Sequence, residues 1–171
     1  NELMSGDTID SNSSLIAHSL SNVGFDIFRK ITVGDDLNNI VAQLENLLLD
    51  SRVIIINGGL GPTIDDMTAK ALSISLGVPL VENKIALSHL KSWCDKKNIP
   101  LNKSNYKQAL LPKNSKIIKN PIGSAVGIYL QYKSCLIICT PGIPSELKIM
   151  LDNYIPKILR GMFPEAQSKY I

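Results

Sequence analysis

Gly58, Gly59 and Gly61 stand in the run Gly58-Gly59-Leu60-Gly61-Pro62-Thr63, directly behind the β-branched stretch 53–56. Glycines at such a turn let the main chain approach a ligand closely, and a helix starting after it offers unpaired N–H groups and a positive dipole end. A phosphate or pyrophosphate suits that environment. A tight strand-to-helix turn also needs glycine for its own sake, and no GK[ST] follows, so this is not a Walker loop. Thr63, Asp65, Asp66 and Thr68 add two hydroxyls and two carboxylates beside the expected anion. A carboxylate next to a phosphate calls for a cation, and Asp65 or Asp66 could hold a divalent ion that bridges phosphate oxygens and activates water. Asp66 could equally cap the following helix.

Two more loops could face the same ligand. Asn120-Pro121-Ile122-Gly123-Ser124-Ala125-Val126-Gly127 leads into an apparent strand, and Thr140-Pro141-Gly142-Ile143-Pro144-Ser145-Glu146 leaves one and opens a helix. In the second, Gly142 and the helix N-terminus could meet the anion, while Glu146 could cap, bind metal or bind a polar ring. Asn105, Lys107 and Gln108 could supply one positive charge and amide donors, or simply lie on the surface. His18 and His89 have no second histidine at metal spacing and read as packing or surface residues. Trp93 falls near Leu87, Leu90 and Cys94 on one helix face and reads as packing or an oligomer contact.

Alternating strands and amphipathic helices must position these loops. Residues 11–23 carry Leu15, Ile16, Leu20 and Val23 at helical spacing, with Ser11 or Asn12 as N-cap and Gly24 as terminator. Residues 25–33 read as a strand and 36–50 as a helix, whose Leu37, Ile40, Val41, Leu44, Leu47 and Leu48 follow the i, i+3, i+4, i+7 pattern. Continuous apolar character over 53–56 predicts a strand buried on both faces of a parallel sheet. Further helices are expected from near Asp66 and over 84–97, 102–111 and 145–159. Residues 127–132 and 136–140 should be neighbouring strands joined at Lys133-Ser134. The fold predicted is α/β, a three-layer sandwich with ligands at the carboxyl ends of its strands.

The chain's 171 residues fit one domain with a single core. Hydrophobic residues make up 44% and charged residues 19%, which excludes a disordered or fibrous polymer. Eighteen Lys and Arg against 15 Asp and Glu, without a concentrated basic face, argue against a nucleic-acid partner. Cys94, Cys135 and Cys139 lack CxxC spacing, so neither a zinc site nor a disulfide framework is expected. Free thiols in apolar surroundings, no 18-residue apolar run and no charged-then-apolar leader lead us to expect a cytoplasmic protein without a membrane partner.

Taken together, these segments resemble the molybdopterin-binding domain shared by MogA-like, MoaB-like and CinA-like proteins. Gly58, Gly59, Gly61, Thr63, Asp66 and Thr68 match its glycine-rich signature, and Leu60 and Pro62 point to the CinA-like branch. So do Asn105-Tyr106-Lys107-Gln108-Ala109, similar to N-R-K-Q-A, residues 120–127, similar to N-P-x-G-T-A-x-G, and 141–146. Residues 2–12 resemble G-x-E-L-x-x-G-x-x-x-x-x-N, with Asn1 where that pattern leaves its first strand. Tyr106 replaces the usual arginine.

The resemblance implies an α/β/α sandwich around a mostly parallel, mixed five-stranded sheet whose first strand is missing here, within a longer protein. It implies a homodimer or other homo-oligomer. It further implies a divalent-metal-dependent pyrophosphatase acting on ADP-ribose or a related dinucleotide. In that reading Asp66, Asp65 and Lys107 are catalytic, and Asp66, Glu146 and Glu2 hold metal. Substrate binding falls to Gly58, Gly59, Gly61, Thr63, Thr68, Asn105, Gln108, Asn120, Gly123, Pro141 and Gly142. The alternative is a domain that binds or adenylylates molybdopterin, or a degenerate nucleotide-binding or dimerisation domain.

Overall fold

The computed structural model of the chain describes residues 10–165. The expected metal ligand Glu2 and the rest of the stretch 1–9 lie outside the described residues.

The first helix, α1 (Ser11–Ser21), is capped by Asp10, whose carboxylate accepts from the Ser13 N–H at 3.0 Å, so the cap falls one residue before the expected Ser11 or Asn12. An extended segment follows. Helix α2 (Leu37–Asp50), capped by Asp36, leads into β1 (Val53–Asn57). After the glycine run come α3 (Thr68–Leu76), β2 (Leu80–Glu82) and α4 (Lys84–Lys97). One short turn, α5 (Lys103–Tyr106), passes into a 3₁₀ turn at Lys107–Ala109. Strands β3 (Leu110–Pro112), β4 (Lys116–Ile118), β5 (Gly127–Tyr132) and β6 (Cys135–Thr140) precede α6 (Pro144–Asn153) and α7 (Ile155–Met162).

The main sheet has the order β1-β6-β5-β4. Its β1–β6 pair is parallel, and its β5–β6 and β4–β5 pairs are antiparallel. Among the described residues the sheet has four strands, mostly antiparallel, which corrects the expected mostly parallel arrangement of a five-stranded sheet lacking its first strand. The cause is local, because the two-residue Lys133-Ser134 turn, with Lys133 at φ 50°, folds β5 back on β6 as a hairpin. A second, two-stranded sheet pairs β2 with β3.

Strand β6 shows why two helical layers are needed. Cys135, Ile137 and Cys139 pack on one face with Leu44 of α2 and Ala71, Leu72 and Leu76 of α3. Leu136 and Ile138 pack on the other with Ile16 and Leu20 of α1, Leu147 and Met150 of α6, and Ile155 and Leu159 of α7. Successive strand residues face opposite ways, so an uninterrupted apolar strand must be covered twice. Sheet and helices form the three-layer sandwich.

Three more expectations change. Residues 25–33 run extended but pair with no strand among the described residues, and Ile27, Phe28 and Ile31 are exposed. β-Formers without a hydrogen-bonded neighbour make no ladder. The helix expected over 102–111 stops early, since Leu110–Pro112 instead pairs with β2, and the Ala109 carbonyl accepts from the Asn83 N–H at 2.8 Å. The last helix breaks at Tyr154. Pro156, in the first turn of α7, has no N–H to return to the preceding helix.

All three cysteines are free and buried, as expected. Burial pushes the Cys135 thiol up to about 11 and the Cys139 thiol higher still. Trp93 is half-buried, with its indole N–H lacking a partner among the described residues. Among the described residues no helix is long and apolar enough to cross a membrane.

Candidate functional site

Parallel pairing of β1 with β6 carries Asn57 and Thr140 to the same end of the sheet, so the loops that follow must meet there. Asn57 fastens the two: its amide donates to the Thr140 hydroxyl at 3.0 Å and to the Pro141 carbonyl at 2.7 Å. Asn12, from the first turn of α1, donates to the Asn57 side chain at 2.8 Å and to the Gly142 carbonyl at 2.7 Å. A side chain begun at Gly142 would sit 3.4 Å from the Gly58 α-carbon. Loops 58–63 and 140–143 are thus in contact.

Gly58 and Gly59 have φ of 103° and 70°, the left-handed region that side chains disfavour. The turn is held by Thr68, whose hydroxyl donates to the Gly58 carbonyl at 2.8 Å and whose N–H donates to the Gly59 carbonyl at 3.1 Å. Thr68 is buried. This arrangement leaves the N–H groups of Gly59, Leu60 and Gly61 without any partner among the described residues, and those of Gly142 and Ile143 likewise. Consecutive unpaired amides form a concave, positively polarised surface suited to an anion.

Asp66 takes a role between those expected. Its carboxylate turns back to accept from the Thr63 N–H at 2.9 Å and the Thr63 hydroxyl at 2.6 Å, pinning the loop instead of capping α3. Lys107 donates to the Thr63 carbonyl. Asp65 is exposed. Asn105 lies apart, its backbone N–H taking the cap of α5 from Asn102 at 2.9 Å, and Tyr106, in the arginine position, donates to Glu82.

The third loop is tied in through Gln108, whose amide donates to the Ser124 hydroxyl at 3.0 Å and, more weakly, to the Leu60 carbonyl at 3.4 Å. Gln108 Oε1 is buried without a partner among the described residues, whereas the groups around Asn120 are paired. Asn120, 1% exposed, donates to the Ala125 carbonyl at 2.6 Å and the Glu146 carboxylate at 2.7 Å, while accepting from the Gly123 N–H at 3.0 Å. Burial raises the Glu146 carboxyl, opposed by the Asn120 hydrogen bond and by the nearby His89. One imidazole nitrogen of His89 lies 2.9 Å from the Gly123 carbonyl and so carries the proton there. Any side chain at Gly123 would collide with the Glu146 carboxylate and the Asn120 amide.

With this geometry in hand, comparison with known proteins decides the family. Residues 1–160 match the family described as probable molybdopterin binding domain. The chain belongs to that family, in its CinA-like form. A CinA-like protein of Colwellia psychrerythraea is 46% identical over 164 residues, which is 96% of this chain and 38% of the relative. Another from Shewanella woodyi is 41% identical over 166 residues, 97% of this chain and 39% of that protein. The domain thus spans less than two-fifths of the length of these relatives. Among solved structures, CinA of Thermoplasma acidophilum, described as of unknown function, superimposes with a TM-score of 0.80 at 29% identity, covering 97% of this chain and 92% of that one. MoaB of Thermus thermophilus, a molybdopterin biosynthesis enzyme, gives 0.60 at 17% identity over 98% of this chain and 91% of its own, a likeness of fold alone.

The expected metal-dependent hydrolase does not stand. The matched family is described as a binding domain. Among the described residues no three His, Cys, Asp or Glu side chains gather to hold a metal ion. Asp66 Oδ2 accepts from Thr63 and Glu146 Oε2 from Asn120. The catalytic parts assigned to Asp66, Asp65 and Lys107 go with that reading. Asn12, Asn57 and Ser124 were not among the expected site residues. Asn12 carried a signal as the asparagine closing the 2–12 motif, and Ser124 as a member of the 120–127 motif, whereas Asn57 carried none.

Proposed function

We propose that the domain binds a ring compound carrying phosphate, in the first place molybdopterin and otherwise a nucleotide, across loops 58–63, 120–125 and 140–143, without hydrolysing it. The observation that carries this reading is the set of unpaired N–H groups at Gly59, Leu60, Gly61, Gly142 and Ile143. Phosphate takes the place of their missing acceptors. Ile122 and Ile143 in two of the loops, and Ile64 directly after the first, are exposed and offer apolar surface to a ring. Family membership supports the pterin. Thr63, Thr68, Asn120 and Gly123 then shape the loops, while Gly58, Gly59, Gly61, Pro141 and Gly142 admit the ligand to the main chain. A homodimer belongs to the same proposal, and light scattering should return twice the chain mass.

Gly58→Ala is the test. No heavy atom beyond its chain neighbours lies within 4 Å of a β-carbon placed there, so the methyl acts through the space in front of the loop and through backbone strain at φ 103°, and unchanged far-ultraviolet circular dichroism of the variant is the control for the second. Calorimetric titration with molybdopterin and with AMP should show at least tenfold weaker binding by the variant, and no AMP release from ADP-ribose by either protein. Equal affinity in wild type and variant would remove the loop from the ligand.

A further inference from the structure

A second recess lies on the far side of the Asn120 loop, between the first turn of α4, strand β4 and the junction of α6 with α7. It is a groove of about 510 Å³, with Ile85, Ile117, Val126 and Tyr154 among its walls. Its formally charged lining residues are both lysines. Lys84 and Lys119 stand on its rim, His89 lies in its wall, and it has no acidic lining residue. Neither lysine has a hydrogen-bond or ion-pair partner among the described residues. Apolar walls with a few convergent polar groups are the usual make-up of a small-molecule site.

A comparable hollow between α1, α6 and α7 is also lined by basic groups, but there Lys148 pairs with Asp152 at 3.0 Å and the field is partly cancelled. No such pair relieves Lys84 and Lys119.

We propose that the groove between α4 and β4 binds a small anion with a flat apolar body, an aromatic ring bearing a phosphate or carboxylate. The ring lies against Ile85, Ile117 and Val126, and the anionic group is held by Lys84, Lys119 and the Ser88 hydroxyl. The floor of the groove is shared with the first site. Asn120 lines it while donating to Glu146 and Ala125, and His89 lines it while bonded to the Gly123 carbonyl. A ligand here therefore presses on the two side chains that set the shape of loop 120–125. The site itself stands without the proposed function, since none of the unpaired loop amides takes part in it.

Phenyl phosphate is the probe, followed by amide chemical shifts of the chain. Saturable shifts are expected at residues 84–89 and 117–121, with inorganic phosphate binding at least fivefold more weakly because it lacks the ring. The double variant Lys84→Ala/Lys119→Ala should weaken phenyl phosphate at least tenfold. Lys116→Ala, whose ammonium lies over the Tyr129 ring, should not, and Gly58→Ala should leave binding at this groove intact. Unchanged affinity in the double variant, shifts confined to residues 58–63 and 140–145, or equal binding of inorganic phosphate would overturn the proposal.

Discussion

Loops 58–63 and 120–125 both carry glycine at fixed points and both border the end of the sheet, yet their polar groups are used in opposite ways. In the first, the side chains of Thr68 and Asp66 hold the turn while three consecutive main-chain N–H groups stay unpaired. In the second, Asn120, Glu146, His89 and the Gly123 main chain satisfy one another inside the protein. A binding surface keeps donors open to solvent, and the support behind it keeps none, because an unmet buried polar group costs about 1–3 kcal/mol. Similar glycine content therefore hides a division of labour.

Substitutions can break that contrast in order of expected size. Gly123→Val should have the largest effect, because its side chain must displace a buried carboxylate and amide. A loss of about 3 kcal/mol or more in urea unfolding is expected, overpacking and lost hydrogen bonding adding together. Asn120→Ala should cost about 2–3 kcal/mol by stranding Glu146, with affinity for a phosphate ligand lowered only through the disturbed loop. Gly58→Ala should reverse the pattern, losing about 1 kcal/mol of stability for the left-handed residue but at least tenfold in ligand affinity.

Smaller effects follow from titration. Burial holds the Glu146 carboxyl above its ordinary range, so its folded-state pKa exceeds the unfolded one. Its favourable contribution is complete in acid and is lost as pH rises through the folded value. Glu146→Gln should accordingly gain stability relative to wild type between pH 4 and pH 8, as read by thermal unfolding. Asp10 behaves oppositely, since Lys30 and then Ser13 hold its carboxyl down at about 2. Stability from it is present above the usual carboxylate range and is lost as pH falls toward 2. Asp10→Asn should flatten that acid limb and leave ligand binding unchanged.

Much of this was legible in the residues. Residues 36–50 show helical periodicity because α2 exposes one face, and the unbroken apolar run 135–139 shows burial on two, whereas 53–56, at the edge of the described sheet, is mostly half-buried. The glycine loops were legible as main chain that must approach something. The Lys133-Ser134 turn was legible too, but the direction of the whole sheet was not, because it depends on which strands find partners, and composition is silent on that. Residues 25–33 have the right side chains for a strand and no neighbour to make one. Side-chain contacts were hidden for a related reason. The hydrogen bonds of Asp66 with Thr63 and of Glu146 with Asn120 do not appear in the spacing of these residues.

Strand β6 leaves one practical consequence. Cys135 and Cys139, with Cys94 of α4, are fully sequestered thiols with no bond to one another, and thiolate is the reactive form. Alkylating reagents can reach them only after the sandwich opens. Mass-spectrometric counting of labelled thiols over time would thus act as a built-in clock for opening of the sheet, and a bound ligand on the loops should slow it without touching a cysteine.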